Sequence, residues 1–241
     1  MITDETEADQ GVGAADAPRR IAVWDWPVRI VHWSFALLLP ALWLSWNFGQ
    51  MSLHRWLGYA MLGLIVFRIY WGLAGSSTAL FRSFVKGPRA VAAYLRSLFS
   101  GKPAPIVGHN AVGGWSVVAM LSLLLAQVLL GLFAQDVDGL VSGPLARFVS
   151  YETADAAREI HAVVFNVLLA VVGLHICAVA FYLVVKRDNL VGPMLTGRKA
   201  VEPSVEAAVF APVWRMVIGV ALAAGAAGWA WLGFPLPASV G

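Results

Sequence analysis

The chain has 241 residues, of which 59% are hydrophobic and 13% charged, with a formal net charge of +3 and a mean hydropathy of +0.73. A water-soluble domain carries about a quarter of its residues as Asp, Glu, Lys and Arg, so this composition excludes that class. The apolar residues also stand in long runs, and about 20 in a helix cross the hydrocarbon core; the fold class is all-α integral membrane.

In chain order, residues 1–20 (MITDETEADQGVGAADAPRR) are acidic, small and without aromatics, and read as a disordered tail. Five runs then predict spans at 30–48, 56–74, 112–134, 162–185 and 213–234. The first is too far from the N-terminus, too long and too Trp-rich for a cleaved signal peptide. Residues 21–200 form a four-helix transmembrane bundle on this reading, and residues 201–241 add a fifth C-terminal helix. Between spans two and three, Phe81, Phe84, Val91, Tyr94, Leu95, Leu98 and Phe99 alternate in helical fashion with Arg82, Lys86, Arg89 and Arg96. Such a segment should lie along the membrane surface. Between spans three and four, Asp136, Asp138, Glu152 and Asp155 face only Arg147 and Arg158, which makes this loop acidic. Cys177, in the fourth run, has no disulfide partner and reads as a small buried packing residue. Trp24, Trp26, Trp33, Trp43, Trp46, Trp56 and Trp71 cluster near span ends, as an interfacial aromatic belt does.

Lysines and arginines give the orientation, because cytoplasmic loops collect them. With the N-terminus inside, the inner segments hold 13 of them and the outer segments only Arg55, Arg147 and Arg158. The reading is a cytoplasmic N-terminus and a C-terminus on the outer side.

The chemistry lies with the histidines, since ionisable groups inside a bilayer are rare and usually functional. His161 and His175 are 14 residues apart on one helix, which returns them to within about 40° of one face and about 21 Å apart along the axis. Span directions give each a partner at matching depth: His54 for His161, and His32 for His175. On span two, His54, Gly58, Met61, Ile65, Arg68 and Gly72 share a face, whose glycines leave room for a flat macrocycle or a close helix. Arg68 lies at the depth of His175 and needs an anion; haem propionates would supply one, and snorkelling to headgroups is the other reading. Arg29, three residues before His32, has the same two readings. His109, in the Gly/Pro-rich GKPAPIVGHNAVGGW, stands where it could touch a haem edge, a quinone or the membrane interface. Zinc or copper transport sites would add carboxylate, Cys or Met ligands, and a proton pump would want carboxylate relays. Bis-imidazole haem iron needs only histidine and apolar packing.

The stretches VWDWPVRIVHW around His32, LHRWLGYAMLGLIVFRIYWGLAG around His54, GHNAVGGWSVVAML, GLFAQDVDGLVSGPL, EIH and GLH around His161 and His175, and NLVGPMLTGRK follow one another in order. In these the sequence resembles the bacterial cytochrome b561 and nickel-iron hydrogenase b-type cytochrome superfamily. The resemblance implies a four-helix core with two haems b, with His32, His54, His161 and His175 at the ligand positions. It implies a bacterial inner-membrane protein that exchanges electrons between the quinone pool and an outer partner, either a periplasmic c-type cytochrome or a hydrogenase subunit. No CxxCH occurs, so the haems would be held non-covalently. Ala111 replaces the proline of the family pattern, and the fifth span lies beyond the common core. A non-redox membrane anchor and a His-lined metal transporter are the readings from other classes, and nothing points to nucleic acid.

Overall fold

The computed structural model describes residues 19–99, 108–203 and 205–234. Most of the expected tail, and Lys102, lie outside the described residues. Strand β1 (Arg19–Ala22) pairs antiparallel with β2 (Arg198–Val201), Arg19 opposite Val201. Arg19 and Arg20, which the sequence grouped with the tail, are therefore part of this sheet.

Long helices follow from the apolar runs: α1 (Trp26–Asn47), α2 (Met51–Ala74), then the turn α3 (Phe81–Phe84) and α4 (Pro88–Phe99), α5 (Ala111–Phe133), α6 (Tyr151–Val184), the short α7 (Val191–Thr196) and α8 (Val213–Trp231). Five of them are long and apolar enough to cross a membrane: α1, α2, α5, α6 and α8. Their starts are chemically marked. Asp25 caps α1 by accepting from Val28 N at 2.9 Å, with Pro27 in the first turn. Asn110 caps α5 through Gly113 N at 2.6 Å, and Ala111 takes the first helical position, which suits alanine as it does proline. Apolar side chains point outward along these helices; Leu37 is 71% exposed and Leu174 70%, as a lipid-facing surface requires.

Helix α2 is the central post, packed by α1, α5 and α8. Small residues bring α8 in: a Cβ on Gly63 would lie 3.0 Å from Ala223 O, and one on Gly219 would meet Phe67 and Tyr70 at 2.9 Å. Helix α6 packs along α5 but stands off from α1 and α2. That stand-off creates the gap in which the site lies.

Several expectations need correction. Helix α6 has 34 residues, about 51 Å at 1.5 Å per residue, against a hydrocarbon core of about 30 Å. It starts at Tyr151, so the last third of the expected acidic loop is helix, and its first turns project beyond the core. The surface-lying segment is two pieces: Phe84 of α3 is buried, and only α4 has the expected amphipathic form. Cys177 is exposed on the outer side of α6, not buried. Trp24 and Trp71 are core residues, while Trp26, Trp33, Trp43, Trp46 and Trp56 are exposed.

Candidate cofactor site

Along α6, His161, Val164, Phe165, Leu168, Val171, Val172 and His175 are the residues withdrawn from the surface, while Val163, Leu169 and Leu174 between them are exposed. This is a single stripe at three- and four-residue steps facing the gap. Leu168, midway between the histidines, is fully buried with Met61, Ile65, Leu121 and Leu124. The bundle is closed at that level, and a histidine pair lies on either side of it.

The structure brings His32 of α1 against His175, ring centroids 6.4 Å apart, and His54 of α2 against His161, also 6.4 Å. The ring planes cross at 59° and 71°. Neither pair touches in the way stacked rings do. Two metal–nitrogen bonds of about 2.0 Å, plus about 1.1–1.2 Å from each nitrogen to its ring centre, put opposed imidazoles about 6.3 Å apart. The separation thus fits one iron between each pair. The donor set fits too, since two imidazoles fill the axial positions of haem iron but only half of a tetrahedral zinc set. Space fits as well: a Cβ on Gly58, one turn past His54, would meet nothing within 4 Å. Among the described residues no group of three or more His, Cys, Asp and Glu converges.

The second pair is held by neutral carbonyls. His54 Nδ1 donates to Leu42 O at 2.9 Å, with Ser45 Oγ at 3.4 Å, and His161 Nδ1 donates to Gln127 O at 2.9 Å. Donation from Nδ1 leaves Nε2 as the lone-pair nitrogen on both rings. Gly131 makes this approach possible, because a Cβ there would stand 3.1 Å from His161 Cε1. Sequence reasoning missed Ser45, Gln127 and Gly131. A polar residue and a glycine one turn apart within an apolar run were the available signal.

The first pair lies at the sheet end and has a different surround. Arg68 is 7% exposed; its Nη1 donates to Ala79 O at 3.4 Å and its guanidinium lies over the Phe81 ring at 5.2 Å. Phe81 fills the face of Gly72, so that glycine serves close packing. Asp25, 3% exposed, accepts from Val28 N and from Trp71 Nε1 at 2.8 Å. It is the carboxylate whose charge reaches Arg68. Sequence reasoning passed over it because it sits one residue outside the first helix. Arg29 turns elsewhere: Nε donates to Met194 O at 3.3 Å and Nη2 to Leu195 O, so it binds the carbonyls of α7. His109 is wedged between Trp24 and Phe84, with ring centroids 4.8 Å away on each side. Burial first, then the charge of Arg68, holds its imidazole far below the usual range, at about 3. Its Nδ1 and that of His32 are buried without a hydrogen-bond partner.

A multi-pass helical bundle that pairs imidazoles at two levels along one helix is the architecture of a membrane cytochrome of the b type. A family model, prokaryotic cytochrome b561, matches residues 23–197, and the chain belongs to that family. Membership makes it a b-type haem protein of transmembrane electron transfer. The match ends before β2, so α8 lies beyond it. No curated protein and no solved structure matches the chain.

Proposed function

We propose that the chain carries two haems b, one between His32 and His175 and one between His54 and His161, and conducts electrons across the bilayer between the quinone pool and a redox partner on the far side. The observation that carries this reading is the pair of 6.4 Å imidazole separations on one stripe of α6. Each haem, when bound, supplies a one-electron carrier in the membrane interior. The protein residues position and insulate. Leu42 O and Gln127 O orient His54 and His161, Leu168 and Met61 keep water from the level between the pairs, and Arg68 offers a buried cation to a propionate. Arg29 helps to fix α1 against α7, beside His32.

The charge asymmetry supports an inner-membrane orientation with the sheet end cytoplasmic and the far end periplasmic. The partner at the far end is then a periplasmic c-type cytochrome, with a hydrogenase subunit as the competing assignment. A pyridine haemochrome assay against protein mass should give about two haems per chain, extractable by acid acetone. A colourless protein, or a ratio of about one, refutes the paired scheme.

A further inference from the structure

Hydrogen-bond donors are in surplus at the sheet end. Among the described residues the buried guanidinium of Arg68 reaches a single carbonyl, and the two oxygens of Asp25 are taken by Val28 N and Trp71 Nε1. Among the described residues no ion pair joins Arg68 to any carboxylate. His109 adds a second unmet group, its Nδ1 buried with no hydrogen-bond partner among the described residues.

Local structure holds that imidazole firmly. Gly108 takes φ +84°, a conformation that favours glycine, and Asn110 closes the first turn of α5 directly after it. Gly114 lets this turn press against the backbone of Phe84, whose ring packs on His109 opposite Trp24. His109 is also within electrostatic range of Arg68, His32 and His175. Among the described residues no neighbouring group makes a hydrogen bond to its Nδ1. In the cavity of about 320 Å³ that His109 lines, Thr78 and Ser83 donate their hydroxyls to Val23 O and Leu80 O, and Ser77 Oγ receives Val209 N. Glu206, on the same cavity, is exposed and makes no bond to His109.

We propose that His109 and Arg68 together hold a propionate carboxylate of the haem carried between His32 and His175. The assignment rests on the two-haem reading. A carboxylate accepts from both groups at once, and charge-assisted bonds of this kind are the strong ones. As a neutral imidazole, His109 donates from one nitrogen without adding charge. His109 is within electrostatic range of His32 and His175, a level away from His54 and His161, whose rings donate to backbone carbonyls. The effect of His109 is therefore confined to one haem.

The test is a redox titration of the purified holoprotein. His109→Leu and Arg68→Gln should each lower the midpoint potential of the same single haem, the one that His32→Ala removes, and leave the other unmoved. Losing the donor at 109, or the positive charge at 68, leaves more carboxylate charge facing the iron, which favours the ferric state. His109→Gln, which keeps an N–H donor, should hold the midpoint near that of the parent protein. Apoprotein reloaded with haem dimethyl ester, whose propionates are esterified, should show no further shift on His109→Leu. If His109→Leu does not accumulate, Arg68→Gln in the ester-loaded protein makes the same test from the other donor. Unchanged midpoints in the variants overturn the assignment, as does a shift that persists undiminished with the ester, because the acceptor is then not a propionate. A parent protein without haem would instead sink the two-haem reading itself.

Discussion

Removing any one of the four paired histidines should cost one haem, and the identity of that haem follows from the geometry. His161 and His175 share a stripe but lie 14 residues apart, about 21 Å along α6. Each has its partner ring at 6.4 Å, so no histidine can serve at the other level. His54→Ala and His161→Ala should each lower the haem-to-protein ratio from about two to about one and leave the same residual spectrum. His32→Ala and His175→Ala should leave the other one. Whatever haem remains at the altered level should lose its low-spin spectrum, because a single imidazole cannot keep a six-coordinate low-spin iron. Reduced-minus-oxidised spectra, with circular dichroism as a check on folding, make the assay. Matching residual spectra for His32→Ala and His161→Ala would refute the pairing by depth.

Gly131→Val, which drives side-chain carbon into the space 3.1 Å from His161 Cε1, should weaken binding of the same haem as His161→Ala, on the order of 10–100-fold as for other losses of ligand orientation, read as haem retained through gel filtration. Gly63→Leu should part α2 from α8, because the added Cβ alone stands 3.0 Å from Ala223 O; overpacking of about 1–3 kcal/mol should lower the thermal midpoint with the haem spectrum unchanged. In the haem-free protein His109 stays neutral down to about pH 3, whereas the unfolded chain takes up a proton below about pH 6.5. Stability should thus fall as pH drops from 6.5 towards 3, by up to about 1.4 kcal/mol per pH unit from this group, and His109→Gln should flatten the slope in acid melts. At the far end, Leu140 is 84% exposed beside Asp136 and Asp138, while Arg158 is paired with Asp155. Electron transfer to a basic c-type cytochrome should therefore be fast and slow with added salt; rates equal for basic and acidic cytochromes would favour a permanently bound partner.

The helices and the histidine stripe were legible in the sequence because both follow from periodicity. Apolar runs of about 20 residues have one stable form in lipid, and 14 residues bring His175 back beneath His161 whatever the rest of the chain does. Residues acting through backbone atoms were not legible. Leu42 and Gln127 serve through their carbonyls, which any residue type would offer, and Gly131 serves by lacking a side chain. Asp25 was missed for another reason. Its role depends on Trp71, 46 positions away, and no local pattern links the two. Trp71 was likewise read as an interfacial residue, since its place near a span end is local information while its burial is tertiary. The start of α6 was misjudged because hydropathy marks where lipid begins, whereas Ser150, accepting from Thr153 N, marks where the helix begins.

The stand-off of α6 links cofactor to fold. Its main lateral support comes from α5, and above and below the level of Leu168 its buried stripe faces α1 and α2 across a gap. Apolar side chains such as Val164 and Phe165 lie on that stripe, and an open gap between helices would forfeit their dispersion contacts. On the two-haem reading a flat macrocycle at each histidine level supplies the missing contacts, with Leu168 closing the space between. Binding to the folded state alone then adds stability as ligand concentration over Kd rises. The same ring that carries the electron is thereby part of the wall between α6 and its neighbours, and the spacing that suits an iron between two imidazoles is also the spacing at which the bundle is complete.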